Sequence, residues 1–261
     1  MPQALFRFYA ELNDFLPAPR RQAEFLHAWN GPAAVKDVLE SLGIPHPEID
    51  IILVNGRSVG FEYLLAEGDR VSVYPVFEAL DITPLVRLRP RPLRVTRFVL
   101  DVHLGRLAAY LRMLGFDTLW QREADDAALA RCSHDEQRLL LTRDRGLLKR
   151  REVTRGYCVR ASRPRQQLLE VVAHFDLGGQ ARPFTRCTQC NGMLAPIARE
   201  LARVAVPLGV AERSAEFTCC QACGRIYWPG SHYDRMRCLA DEVLGSARRQ
   251  ASTGVRTRKR A

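Results

Sequence analysis

The sequence predicts a mixed α/β chain in three parts: a small β-rich domain, a mostly parallel sheet with helices on both faces, and a cysteine-bound ribbon. Three observations carry that prediction. Between residues 98 and 175 short apolar runs alternate with helical periods, the pattern of strand–helix–strand units. A proline- and arginine-rich stretch over 85–97 separates them from a first segment of different pattern. Beyond the sheet lie two Cys-x-x-Cys pairs, Cys187-Thr188-Gln189-Cys190 and Cys220-Gln221-Ala222-Cys223.

The 261 residues suffice for more than one core, and 47% hydrophobic residues is an ordinary content for a folded chain. Glu11 and Asp14 fall where a secretory leader needs an unbroken apolar run, and no segment approaches the roughly 18 apolar residues of a membrane span. The expected location is therefore the cytoplasm, without a membrane partner. A net charge of +10 and a pI near 9.6 favour an anionic partner such as RNA. Only three of the 39 basic residues are lysines, however, so arginine-rich coding explains the charge equally well. Of the eight cysteines, the four in pairs form a metal pattern, and Cys132, Cys158, Cys219 and Cys238 read as incidental thiols.

Residues 4–10 and 24–29 are strand-like, and Gly31-Pro32 opens a helix whose Val35, Val38, Leu39 and Leu42 share one face until Gly43. A buried strand follows at 51–54, then the hairpin-type Asn55-Gly56, and then 70–76 with Val71, Val73 and Tyr74. This order suggests a β-grasp domain over 1–80. Val54-Asn55-Gly56 and Gly68-Asp69-Arg70-Val71-Ser72-Val73-Tyr74-Pro75 resemble the ubiquitin-like sulfur-carrier families. Those carriers end in a free Gly-Gly, whereas here the chain runs on through Val76-Phe77-Glu78. The expected role is partner binding or scaffolding, with a folded appendage as the plainer alternative.

Residues 81–96, with Pro90, Pro92 and a series of arginines, read as a stiff linker. The α/β domain then spans 97–180. Phe98-Val99-Leu100 is a strand ending on Asp101; Leu104, Leu107, Ala108, Leu111 and Leu114 form a helix stopped by Gly115; 116–120 is the next strand. Asp125-Asp126 head a helix, 139–142 and 157–159 supply two more strands, and 164–175 supplies a closing helix. Leu139-Leu140-Leu141 is apolar enough for a strand buried on both faces, and Asp144 leaves it at the carboxyl end, where open α/β sheets place their chemistry.

Two strands thus end at Asp101 and Asp144, and the pair Asp125-Asp126 opens the intervening helix. Carboxylates gathered at strand ends can share one or two Mg²⁺ or Mn²⁺ ions, hard cations that prefer oxygen. Such ions activate water and stabilise the leaving oxygen of a phosphodiester. The alternative is local: a helix cap at Asp125 or Asp126 and a turn at Asp101.

The segment Asp126-Ala127-Ala128-Leu129 and the run Leu139-Leu140-Leu141-Thr142-Arg143-Asp144 resemble the helix start and strand end of PIN-type nucleases. Phe98-Val99-Leu100-Asp101-Val102-His103-Leu104-Gly105-Arg106-Leu107, followed by Leu111-Arg112-Met113-Leu114-Gly115-Phe116-Asp117-Thr118, resembles the bacterial and archaeal ribonuclease-domain family named after the C-terminal domain of Mut-seven. The resemblance implies a PIN-like fold followed by a zinc ribbon, preceded in many members by a ubiquitin-like domain. It also implies Asp101, Asp126 and Asp144 as catalytic metal ligands, with Asp125 as the substitute for Asp126. One departure is that the further acidic residue of many PIN nucleases has no clear equivalent here, Asp117 and Glu123 being the only nearby candidates. Expected RNA contacts are His103 and Arg106 after the first strand and Arg143, Arg145 and Lys149 around Asp144. For the basic cluster a solvated helix face is the alternative, and for His103 a structural histidine.

In the ribbon, over 181–240, Cys187, Cys190, Cys220 and Cys223 can close a tetrahedral Zn²⁺ site that serves structure rather than chemistry. The gap of residues 191–219 exceeds that of a compact ribbon and leaves room for a helix near 197–204. After the second pair comes Tyr227-Trp228-Pro229-Gly230-Ser231-His232. Trp228 and His232 are expected to contact RNA; the alternative is that the aromatic pair packs the ribbon and His232 caps the turn. Residues 241–261 read as a basic disordered tail. The function expected from all this is a metal-dependent ribonuclease. The alternative is a non-catalytic RNA-binding or ribosome-associated adaptor with a partner-binding β-grasp domain.

Overall fold

Alternation along β1 (Gln3–Phe8) turns Ala4, Phe6 and Phe8 to one side, and all three are buried. The structure is a computed structural model that describes residues 1–75, 88, 96–214 and 216–256. From β1 the chain continues through β2 (Phe25–Ala28), α1 (Val35–Ser41), β3 (Ile49–Val54), β4 (Arg57–Val59) and β5 (Arg70–Pro75). Next come β6 (Arg97–Leu100), α2 (Gly105–Met113), β7 (Asp117–Trp120), α3 (Asp126–Asp135), β8 (Leu139–Thr142), α4 (Arg145–Leu148), β9 (Gly156–Cys158) and α5 (Pro164–His174). The last are β10 (Leu194–Ile197), α6 (Arg199–Arg203), α7 (Leu208–Arg213), β11 (Phe217–Cys220), β12 (Ile226–Tyr227) and α8 (Ser231–Arg256). The expected linker at 81–96 lies outside the described residues apart from Leu88 and Thr96. The expected disordered tail is helical as far as Arg256, in a proline-free run that lets α8 continue. Two units divide these elements: Met1–Val95 with Ala124–Cys158, and Thr96–Glu123 with Val159–Ala261.

In the first unit, β1 to β5 form a five-stranded sheet in the order β2-β1-β5-β3-β4, with β1 and β5 parallel and the other pairs antiparallel. Helix α1 buries Val35, Val38 and Leu39. This is the β-grasp arrangement. Asn55 and Gly56, at φ of 51° and 80°, make the two-residue turn that joins β3 to β4, a conformation that favours this residue pair. The same unit holds β8, whose four residues are all buried, paired in parallel with β9.

Helix α4 and the loop after it are held by the β-grasp domain. The Arg145 guanidinium lies 4.9 Å from the Phe15 ring centre and 3.3 Å from the Phe15 carbonyl oxygen. Lys149 Nζ donates to the Glu40 carbonyl at 2.6 Å, and His46 Nε2 lies 2.8 Å from the Val153 carbonyl oxygen. The Cys158 N–H donates to the Glu48 carboxylate. Backbone carbonyls and charged side chains therefore join two segments more than a hundred residues apart in sequence.

In the second unit β6 and β7 pair in parallel. Helix α2 buries Leu107, Ala108 and Leu111, and Phe98 of β6 meets Phe116 and Phe175 edge-on at 5.9 and 6.2 Å between ring centres. Helix α5 packs along α8, where Arg165 pairs with Glu242. The strands β10-β11-β12 form an antiparallel sheet, and the expected insertion is two short helices, α6 and α7. Ala202, Val206, Ala211 and Phe217 give it a small core of its own.

Gly115 ends α2 at φ +91°, and a Cβ there would stand 2.1 Å from the Arg182 carbonyl oxygen. Backbone cannot move aside cheaply. Gly115→Ala is expected to lower stability by about 2 kcal/mol, read as a drop in the thermal midpoint; an unchanged midpoint would refute this account of the turn.

Candidate functional site

Each cysteine knuckle is a tight turn. Asn191 N–H donates to the Cys187 carbonyl at 3.0 Å and Gly224 N–H to the Cys220 carbonyl at 2.9 Å, with Asn191 and Gly224 at positive φ. Gly192 faces the sulfurs so closely that a Cβ would lie 2.8 Å from Cys220 Sγ. The four Sγ atoms of Cys187, Cys190, Cys220 and Cys223 lie within 4.8 Å of one another, with Cys190–Cys220 at 3.4 Å and Cys187–Cys223 at 3.8 Å. Tetrahedral zinc with bonds of about 2.3 Å requires sulfurs about 3.8 Å apart, so the donors fit the ion. Cys220, not Cys219, completes the second pair, as the two-residue spacing predicts. Among the described residues these four make the one group of three or more such ligands placed to share an ion.

The electrostatics of the cluster favour a cation. Burial opposes ionisation of Cys187, but the Tyr227 hydroxyl at 3.0 Å and the N–H groups of Cys190 and Gln189 outweigh it and lower that thiol to about 6. At Cys190 the Gly192 N–H favours the thiolate, yet burial and the neighbouring thiols push it up to about 12. One proton leaves readily and the next is held by the charge already present. A divalent ion removes that conflict.

Of the acidic residues, Asp101 belongs to the second unit and Asp125, Asp126 and Asp144 to the first. Asp101 is buried at the end of β6, its carbonyl accepting from Leu104 N–H at 2.9 Å to close the 3-10 turn Val102–Leu104. His103 on that turn and Arg106 on α2 are exposed. Asp125 caps α3, with Oδ1 accepting from Ala128 N–H at 2.6 Å. Asp126, the first residue of the helix, is exposed. Asp144 follows β8 and caps α4: Oδ1 accepts from Gly146 N–H at 2.6 Å, and its own N–H donates to Thr142 Oγ1 at 2.9 Å. These two bonds orient the carboxylate while Oδ2 is outside the cap. Arg143 is exposed beside it.

A family model described as the Mut7-C RNAse domain matches residues 96–240, and one described as Mut7-C ubiquitin matches residues 1–81. The chain belongs to the Mut7-C RNAse domain family. It therefore combines a ribonuclease-type domain and its ribbon with an N-terminal ubiquitin-like domain. Two solved structures are similar to the ubiquitin-like part. The small archaeal modifier protein 1 of H. volcanii is 21% identical, with 29% of this chain and 98% of that one covered and a TM-score of 0.24. A second structure of SAMP1 from Haloferax volcanii is 20% identical, with 30% and 99% covered and a TM-score of 0.24. No curated protein matches the chain. No helix among the described residues is long and apolar enough to cross a membrane.

Within this Mut7-C chain, several of the residues singled out in the sequence have partners in the protein itself. Arg145 and Lys149, expected at RNA, bond to the β-grasp domain and so brace the turn that carries Asp144. Asp117, one of the two nearby candidates for the further acid of PIN nucleases, accepts from Asn191 Nδ2 at 2.9 Å and faces Arg186 at 3.7 Å. Tyr227 turns to Cys187, and Trp228 packs partly against the Phe217 cluster.

Sequence reasoning missed Arg112. Its guanidinium, 4% exposed, donates to the carbonyls of Thr118, Thr188 and Gln189, tying the first knuckle to α2 and β7. Burial pushes its pKa down, opposed by the sulfurs of Cys187 and Cys190 and by Asp117. The available signal was an arginine inside the apolar run Leu111-Arg112-Met113-Leu114, a position that demands partners. Arg112→Met is expected to cost about 3 kcal/mol or more in denaturant unfolding of the zinc-loaded protein, because the buried Thr118 carbonyl and the two knuckle carbonyls lose a charged donor. A loss below about 1 kcal/mol would rule the clamp out.

Proposed function

We propose that this protein is a metal-dependent ribonuclease hydrolysing RNA phosphodiester bonds, with Asp101, Asp126 and Asp144 as the ligands of catalytic Mg²⁺ or Mn²⁺. The observation that carries the proposal is the Mut7-C RNAse match over 96–240, within which Asp101 and Asp144 each follow a strand of a parallel pair. Carboxylate oxygens suit hard divalent ions, and Asp144 is held in one orientation by its cap bond. Bound there, the ions would supply an activated water and charge stabilisation for the leaving oxygen.

The chain's own residues orient and hold the substrate. His103, Arg106 and Arg143, all exposed near the proposed ligands in sequence, contact phosphate. Trp228 and His232 contact RNA at the ribbon, whose zinc fixes their backbone. Arg145 and Lys149 act indirectly by bracing the Asp144 turn, and the ubiquitin-like domain serves both that bracing and a protein partner.

The test is cleavage of single-stranded RNA in Mn²⁺ by the purified protein beside an Asp101→Asn/Asp144→Asn double variant. Wild-type cleavage that the double variant loses is the expected result. Equal cleavage by both would assign the activity to a contaminant. RNA binding without cleavage, indifferent to Mg²⁺, would replace the enzyme with the adaptor.

A further inference from the structure

Next to the zinc knuckles, and wholly within the second unit, is a cavity of about 530 Å³ bordered by the ribbon strands, the loop after β12 and the first turn of α8. That volume is in the range of small-ligand pockets. Five aromatic residues line it: Phe217, Tyr227, Trp228, and the pair Phe184 and Tyr233, whose ring centres are 4.7 Å apart. Trp228 is half-buried, with part of its ring against the Phe217 cluster and part facing the cavity.

The charges are distributed unevenly. Arg186 also lines the cavity, but it is engaged by the Asp117 carboxylate and by the Asn191 carbonyl at 2.9 Å. Arg225 is exposed and forms no ion pair among the described residues. Glu216, also exposed, adds a negative charge to the rim. A cavity built to bind a bare phosphate group would be cationic throughout. This one offers aromatic walls, one uncommitted guanidinium and one carboxylate, the complement of a flat, polar-edged ring bearing a single phosphodiester charge.

We propose that this cavity binds one unpaired nucleotide of an RNA strand, its base against the rings of Trp228 and Tyr233 and its phosphate at Arg225. The proposal rests on RNA being the substrate class and adds where, and in what form, the strand is gripped. An unpaired base can reach such a pocket, whereas a base within a duplex is held in its stack. The ribbon would thereby select single-stranded RNA.

The test measures binding by the full-length zinc-loaded protein in buffer without Mg²⁺ or Mn²⁺, so that cleavage plays no part. The probes are a fluorescein-labelled oligoadenylate and a duplex RNA of the same length, followed by anisotropy, with adenosine monophosphate as competitor. Expected are tighter binding of the single strand than of the duplex, and quenching of tryptophan emission that Trp228→Leu abolishes. Tyr233→Leu and Arg225→Glu should each weaken single-strand binding about tenfold, Arg225→Glu also reducing the salt slope by about one. Zinc content and melting temperature of these two variants should match the wild type, which separates lost binding from lost folding.

Wild-type affinity in both variants, or equal affinity for single strand and duplex, would overturn the proposal. So would adenosine monophosphate binding as tightly as the strand, which would make the cavity a mononucleotide site. Loss of cleavage in Asp101→Asn/Asp144→Asn leaves this result untouched. Failure of the binding test likewise leaves the nuclease reading standing.

Discussion

Removal of zinc is expected to unfold the ribbon and to loosen the α2–β7 region with it. Structural zinc binds zinc-finger peptides with an apparent free energy of about 10–16 kcal/mol, as much as the whole stability of a typical domain at about 5–15 kcal/mol. The ribbon's own core, Ala202, Val206, Ala211 and Phe217, is too small to replace that. Damage should spread along named bonds: Thr118 N–H to Asn191 Oδ1, Arg182 N–H to the Leu114 carbonyl, and Phe184 N–H to the Met113 carbonyl. Purified protein should contain one zinc per chain, and Cys190→Ser/Cys223→Ser should contain none. In hydrogen exchange, the amides of 217–220 should lose protection in the variant, and those of Thr118, Arg182 and Phe184 should follow. Full protection at 217–220 without metal would refute a zinc-dependent ribbon, and protection retained only at Thr118, Arg182 and Phe184 would limit the effect to the knuckles.

Features set by local periodicity were legible in the sequence. The strand of apolar residues ending at Asp101, the leucine run before Asp144, the Asp125-Asp126 helix start and the two-residue cysteine spacing each reflect a constraint spanning fewer than a dozen residues. Three-residue β4 was too short to carry a period, although its turn was readable from Asn55-Gly56. What escaped was partner choice over long separations. Nothing near Lys149 in sequence says that its ammonium meets the Glu40 carbonyl, nor does anything near Arg112 name Gln189. A cation beside a candidate active site suggests phosphate from composition alone, yet a backbone carbonyl satisfies the same donor. The distinction depends on which segment folds against it, a property of the whole chain rather than of the motif.

The same reasoning separates the adjacent carboxylates Asp125 and Asp126. Asp125 Oδ1 accepts from Ala128 N–H at 2.6 Å and holds the first turn of α3 together, while Asp126 is exposed and outside that bond. A cap needs a side-chain oxygen, not a charge, and asparagine caps as well as aspartate. A ligand of Mg²⁺ or Mn²⁺ needs the charge, because an amide neither neutralises the ion nor offers a second anionic oxygen. On the proposed function, Asp125→Asn should therefore keep cleavage within about twofold of wild type, whereas Asp125→Ala should cost about 1 kcal/mol of stability through the lost cap. Asp126→Asn should leave stability nearly unchanged and lower cleavage by about 100-fold or more, since even a group that only supports a metal ligand costs 10–100-fold when removed. Cleavage rates and denaturant midpoints of the three variants decide the matter. If Asp125→Asn is the inactive one, the cap carboxylate is also the ligand, and the two residues exchange the roles given to them here.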